Sequence, residues 1–130
     1  MPSSKSASSI LNKLSEAISK LKPDLLIVLG DRYEILISAF VATLQKIPIA
    51  HIAGGEITEG SYDNQFRHSI SKMSAIHFVS NKVYKDRLIR MGENPKNIFN
   101  FGSLALDNLE KDNFISKKEL EKIFKIKFRK

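Results

Sequence analysis

Four short, strongly apolar runs constrain the fold more than any other feature: Leu25–Leu29, Ile49–Ile52, Ile76–Val79 and Ile98–Phe101. They are mostly β-branched or aromatic and bounded by turn formers, which is the pattern of buried strands. Between them the apolar spacing changes to steps of three and four. Ile10, Leu11, Leu14, Ala17, Ile18 and Leu21 mark one face of an amphipathic helix that Pro23 stops. Ser6, Ser8 and Ser9 are each candidates for its cap. Further helices are predicted over roughly 33–45, where most sides are apolar, and over roughly 63–73 and 81–91. Strands alternating with helices mean βαβ units and a parallel sheet, so the fold class is α/β and Rossmann-like. Four strands make a thin sheet of this kind, and the chain opens on a helix. A parallel sheet needs both faces covered, so the domain is expected to be incomplete, with an open edge.

Ligands of such sheets collect beyond the carboxyl ends of the strands. Polar, glycine-bearing segments fall there: Gly30-Asp31-Arg32, Gly54-Gly55-Glu56-Ile57-Thr58-Glu59-Gly60 and Gly102-Ser103. Asp31 is suited to act as a base, bind a hydroxyl, pair with Arg32, or cap the next helix. Gly54 and Gly55 permit positive φ and close approach of the backbone to a ligand. Glu56 projects from that loop, into a site or into solvent, and Glu59 reads as a solvent acid. Thr58 either donates to a substrate oxygen or ends the turn. Asp63 suits the positive end of the helix it opens, and its i,i+4 spacing to Arg67 allows an intrahelical ion pair. His68, off the Asp63 face, is able to titrate near neutral pH. His51 and His77 lie within strands and read as hydrogen-bonded core residues.

A chain of 130 residues suits one domain with a core of its own. It has no Cys, which excludes disulfides and thiolate metal sites. HxxxH, HExxH, P-loop and GxGxxG patterns are absent, so no metal is expected. The net charge of +7 is concentrated: Ser116–Lys130 holds seven Lys or Arg against Glu119 and Glu121, or +5 of the total. A solvated basic helix and tail explains that charge, and no basic stripe is interleaved with stacking aromatics, so no nucleic-acid partner is expected. No apolar run approaches the roughly 20 residues that span a bilayer, and no signal-peptide core follows Met1–Ser6. The chain reads as cytoplasmic, with no membrane partner. Ser116-Lys117-Lys118-Glu119 opens a capping box for a helix to about residue 124.

Taken together, Leu29-Gly30-Asp31-Arg32-Tyr33-Glu34, Pro48-Ile49-Ala50-His51-Ile52-Ala53-Gly54-Gly55-Glu56-Ile57-Thr58-Glu59-Gly60 and Asp63-Asn64-Gln65-Phe66-Arg67-His68-Ser69-Ile70-Ser71-Lys72-Met73-Ser74 form an ordered set. That set resembles the hydrolysing branch of the UDP-N-acetylglucosamine 2-epimerases, as do Arg90-Met91-Gly92-Glu93, Gly102-Ser103-Leu104 and Leu106-Asp107-Asn108. The resemblance implies the incomplete N-terminal half of a two-domain glycosyltransferase-B-like fold. Residues 1–109 would be a partial Rossmann-like domain, and 110–130 a helix and basic segment leading toward a missing second domain. It implies elimination of UDP across C1 and C2 of the sugar, then hydration to free N-acetylmannosamine or a diacetamido relative, with no cofactor. It implies a UDP-sugar substrate, a homo-oligomeric parent, and no activity for the fragment alone. By position, Asp31, Glu56 and Asp63 become the catalytic acids. Arg32, Gly54, Gly55, Thr58, Arg67, His68, Gly102 and Ser103 become substrate-binding. Ala53 stands where some relatives carry a catalytic Glu, and Asn64 where many carry a second acid, so the resemblance does not assign base and acid among the carboxylates, and Glu56 is a candidate for part of the task. Ala53 also leaves a bacillosamine-type substrate open. A non-hydrolysing epimerase and a non-catalytic remnant are the alternatives.

Overall fold

The computed structural model describes residues 4–106 and 114–128. In chain order the elements are α1 (Ser4–Leu21), β1 (Leu26–Leu29), α2 (Tyr33–Leu44), β2 (Ile49–Ile52), α3 (Asp63–Met73), β3 (Ile76–Val79), α4 (Lys82–Arg90), β4 (Ile98–Asn100) and α5 (Lys117–Phe124). All strand pairs are parallel, in the order β1-β2-β3-β4. The α/β, Rossmann-like reading therefore stands, and the middle two strands have the predicted limits. Leu25 and Phe101 fall just outside β1 and β4, although the Phe101 amide still donates to the Val79 carbonyl at 3.3 Å. α1 starts upstream of expectation, so Ser6, Ser8 and Ser9 all lie inside it and none caps it. It ends where Lys22 turns to positive φ before Pro23.

Each crossover steps to the next strand in one direction, so right-handed connections put α2, α3 and α4 on the same face of the sheet. The register shows the consequence. Val28, His51, His77 and Ile98 form one cross-strand row, and all four are buried. The next row, Leu29, Ile52, Phe78 and Phe99, points away from the helices. Leu29 is 57% exposed and Phe99 40%. Phe78, Phe99 and Phe101 stack on that bare face with centroids 5.8–6.1 Å apart.

The two core clusters lie between helices and sheet. Val28, Ala39, Ala42, Ile49 and Ile70 fill the β1–β2 side, and Val79, Leu88 and Ile98 the β3–β4 side. α2 is apolar on most sides because it touches α1, α3, β1 and β2. α5 carries the expected capping box: Ser116 Oγ accepts from the Glu119 amide, and the Glu119 carboxylate accepts from the Ser116 amide at 3.0 Å. The proposed boundary at 109/110, Asp107 and Asn108 of the third downstream motif, and the last two basic residues lie outside the described residues.

Candidate active site at the carboxyl edge of the sheet

A parallel sheet brings every loop that follows a strand to one edge, so the segments after β1, β2 and β4 share it. Asp31 follows the Gly30 turn, whose φ of +83° suits a residue without a side chain. Asp31 does not cap α2; that position is Arg32, with extended backbone and no side-chain cap bond. Nor does Arg32 pair with Asp31. Its guanidinium turns outward to Glu34 at 3.1 and 3.2 Å, and that contact raises the pKa of Arg32 and lowers that of Glu34.

The partner of Asp31 is Arg67, whose Nη2 donates to Asp31 Oδ2. This replaces the expected intrahelical pair with Asp63. Arg67, Ile70 and Ser71 form the buried stripe of α3, so the Arg67 side chain runs inward beneath the end of β1. A buried guanidinium needs a counter-charge, and Asp31 is the carboxylate in reach. Asp63 stays at the first turn of α3, where the Ser61 hydroxyl donates to its Oδ2 at 3.3 Å. Thr58 Oγ1 stands 3.5 Å from Arg67 Nη2.

Asn64 completes this corner, and the sequence reading noted it only as a departure. Its Nδ2 donates to the carbonyls of Thr58 at 2.7 Å and Ser61 at 2.9 Å, while its Oδ1 accepts from the Thr58 amide at 2.9 Å. An ionised acid has no proton for the two carbonyls, so the amide is what clamps this loop. The available signal was an Asx residue in a helical first turn, six residues after a turn threonine.

Glu56 belongs to a second cluster. Ser80, in the loop after β3, donates to Glu56 Oε1 at 2.7 Å. That loop has no glycine, which is why Ser80 escaped notice. Glu56 and Ser80 line a cavity of roughly 530 Å³ with Leu29, Ile52, Ala53, Phe78, Gly102 and Ser103. The structure thus gathers Glu56, Gly102 and Ser103 in one place, and Asp31, Thr58 and Arg67 in another along the same edge. Arg32 and Thr58 are exposed.

Gly54 and Gly55 are buried, and the close approach they allow is to protein atoms. A Cβ on Gly54 would stand 3.0 Å from both His51 Nδ1 and Ser71 Oγ. On Gly55, at φ +73°, it would meet the Tyr84 carbonyl at 2.8 Å and Leu88 Cγ at 2.9 Å. Ala53, next to them, adopts φ +65° without being glycine. Arg87 Nη1 donates to the Gly55 carbonyl and holds the loop against α4.

His68 is half-buried, and its Nδ1 has no partner among the described residues. Burial, then the charges of Arg87 and Arg67, lower its pKa from 6.5, so it is neutral at pH 7. His51 and His77 are hydrogen-bonded core residues as expected. His51 bonds the Gly30 carbonyl and Ser71 Oγ, and His77 bonds Glu93. Burial pushes His51 down to about 4 and lowers His77. Among the described residues no group of three or more acid or imidazole side chains is placed to hold a metal, and no helix is long and apolar enough to cross a membrane.

Fold and site define a Rossmann-like α/β domain with acids gathered at its carboxyl edge. The chain belongs to the UDP-N-acetylglucosamine 2-epimerase family, which it matches over residues 2–130. It is 50% identical, over 95% of its length, to a GDP/UDP-N,N'-diacetylbacillosamine 2-epimerase (hydrolyzing) from Campylobacter jejuni, and covers 32% of that protein. A Legionella pneumophila UDP-N,N'-diacetylbacillosamine 2-epimerase (hydrolyzing) is 43% identical over 73% of the chain, which covers 25% of it. The Methanocaldococcus jannaschii UDP-GlcNAc 2-epimerase, solved in complex with UDP-GlcNAc and UDP, superposes with a TM-score of 0.71 at 26% identity, over 83% of this chain and 32% of that one. The chain therefore spans a quarter to a third of the length of these relatives.

Proposed function

We propose that this chain supplies the N-terminal acid-bearing edge of a hydrolysing UDP-sugar 2-epimerase. The observation that carries the reading is that Asp31 after β1, Glu56 in the loop after β2 and Asp63 at the start of α3 all lie at one edge of the sheet, with Asp31 held by a buried arginine. A base there removes the proton from C2 of the sugar, the C1–O bond breaks, and UDP leaves with the electron pair. Water then delivers its hydroxyl to C1 while C2 regains a proton from the other side, releasing the free 2-epimer. Such chemistry needs a positioned base and stabilisation of the departing charge. The hydrolysing activity for which the Campylobacter and Legionella relatives are named supports this branch, and their diacetamido sugar is the substrate favoured over N-acetylglucosamine.

The test is a chimera in which residues 1–130 replace the matching segment of the Campylobacter relative. Incubated with the UDP-linked diacetamido sugar and, separately, with UDP-N-acetylglucosamine, it is expected to release UDP and a free 2-epimeric sugar, seen by NMR. Asp31→Asn is expected to lower turnover by about a hundredfold or more; because it also leaves the buried Arg67 without its counter-charge and lowers the melting temperature, turnover is read per folded protein, well below that temperature. A UDP-linked epimer as the only product would move the assignment to the non-hydrolysing branch. No product from either substrate would make the domain non-catalytic. The 130-residue chain alone is expected to show no appreciable turnover, and a rate near that of the chimera would overturn that expectation.

A further inference from the structure

The Asp31–Arg67 pair joins a glycine turn to a helix, and neither side chain is held by its own element alone. Directly beneath it lies His51, fully buried in the middle of β2. His51 Nε2 is 2.8 Å from the carbonyl of Gly30, the peptide that leads into Asp31. Its Nδ1 is 3.1 Å from Ser71 Oγ, one helical turn after Arg67 on the same buried stripe of α3. A carbonyl only accepts, so Nε2 must carry the proton. Nδ1 is then a lone pair, and the Ser71 hydroxyl supplies its donor. That hydroxyl also lies 3.0 Å from the Arg67 carbonyl, but the helical pattern already pairs this carbonyl with the amide four residues on. The carbonyl keeps its amide donor whichever way the hydroxyl turns, whereas an unprotonated Nδ1 has no donor but Ser71 Oγ, so the arrangement that satisfies both acceptors turns the hydroxyl proton toward the imidazole. Gly54 keeps the space open, because any Cβ there would press on both Nδ1 and Oγ.

We infer that His51 is a positioning residue: as a neutral Nε2–H imidazole it ties the backbone of Gly30 to Ser71 of α3, and so sets where Asp31 and Arg67 meet. Burial, which holds His51 well below the usual imidazole range, keeps it in that neutral form. The Gly30 turn, which has no side chain of its own to fix it, is pinned by this bond and by its amide to the Ile52 carbonyl at 3.1 Å. The catalytic consequence rests on the epimerase reading; the tautomer and its partner do not.

Two measurements test it. In the 130-residue chain with 15N-labelled histidine, long-range proton–nitrogen spectra at pH 7 are expected to show His51 as the Nε2–H tautomer. Ser71→Ala should move its Nδ1 signal toward that of an acceptor without a donor, with the Nε2 signal unchanged. An Nδ1–H tautomer, or an Nδ1 signal indifferent to Ser71→Ala, overturns the inference whatever the enzyme does. In the chimera, His51→Gln and Ser71→Ala are each expected to lower kcat about tenfold or more, with little change in KM, because a displaced catalytic group loses rate before it loses binding. Should His51→Gln fail to fold, Ser71→Ala decides. Unchanged kcat in a folded Ser71→Ala chimera would leave His51 a core residue only. A wild-type chimera with no activity would sink the epimerase reading while the spectra still judge the network.

Discussion

The two faces of the sheet differ in the opposite sense from what hydrophobicity alone would give: the row with two histidines is buried and the wholly apolar row is not. On the helix side, the row Val28, His51, His77 and Ile98 is buried, and its two histidines are accepted because each finds a partner. On the other side, Leu29, Ile52, Phe78 and Phe99 form the more apolar row, yet its ends are open to water. Burial here follows connectivity rather than hydrophobicity. Three like-handed crossovers in one direction place all the cover on one face, and an aromatic ladder is left exposed on the other. A face of this kind calls for cover from elsewhere in a longer protein, in keeping with relatives about three times as long.

The sharpest way to break this contrast is to truncate one residue on each face. Leu88, fully buried on the inner face of α4 against Val79 and Ile98, is expected to cost about 2–5 kcal/mol when changed to Ala, from lost transfer energy plus a cavity. Chemical denaturation reads this directly. Phe101, 78% exposed, marks the other end of the scale and is taken up below.

The next effect comes from the polar members of the covered row. His51 is depressed from 6.5 to about 4 in the fold. The unfolded imidazole therefore takes up a proton that the folded one refuses. Its contribution, about 3 kcal/mol, is fully present above pH 6.5 and is lost as pH falls toward 4. Denaturation midpoints at pH 7 and pH 4.5 should separate accordingly, and His51→Gln should flatten the difference. An equal pH response in that variant would assign the acid sensitivity to other groups.

The smallest effect is expected on the bare face. Phe101→Ser should change stability by less than about 0.5 kcal/mol, and light scattering should show less self-association. A loss matching that of Leu88→Ala would mean that the chain covers this face itself, for instance by pairing with a second copy.

Much of the fold was legible from local spacing. The limits of β2, β3 and α3 and the capping box at Ser116 all follow from patterns a few residues wide. The loops that carry the site were legible too, because a parallel sheet sends every post-strand loop to the same edge. Pairing within the site was not. Arg32 and Asp63 were the near neighbours in sequence for Asp31 and Arg67, yet Asp31 and Arg67 chose each other across 36 residues. Ser80 carried no local mark, and the clamp by Asn64 shows only once Thr58 and Ser61 are folded back over it.

By itself, then, the sequence determined the α/β class, the order of elements and the glycine-bearing loops, because these rest on period and turn chemistry within short windows. Only the tertiary structure decided which face of the sheet is covered and which cation meets which acid. Both depend on where a buried side chain ends up once crossovers have set the helices, and a buried charge pairs with whatever counter-charge that packing brings within reach.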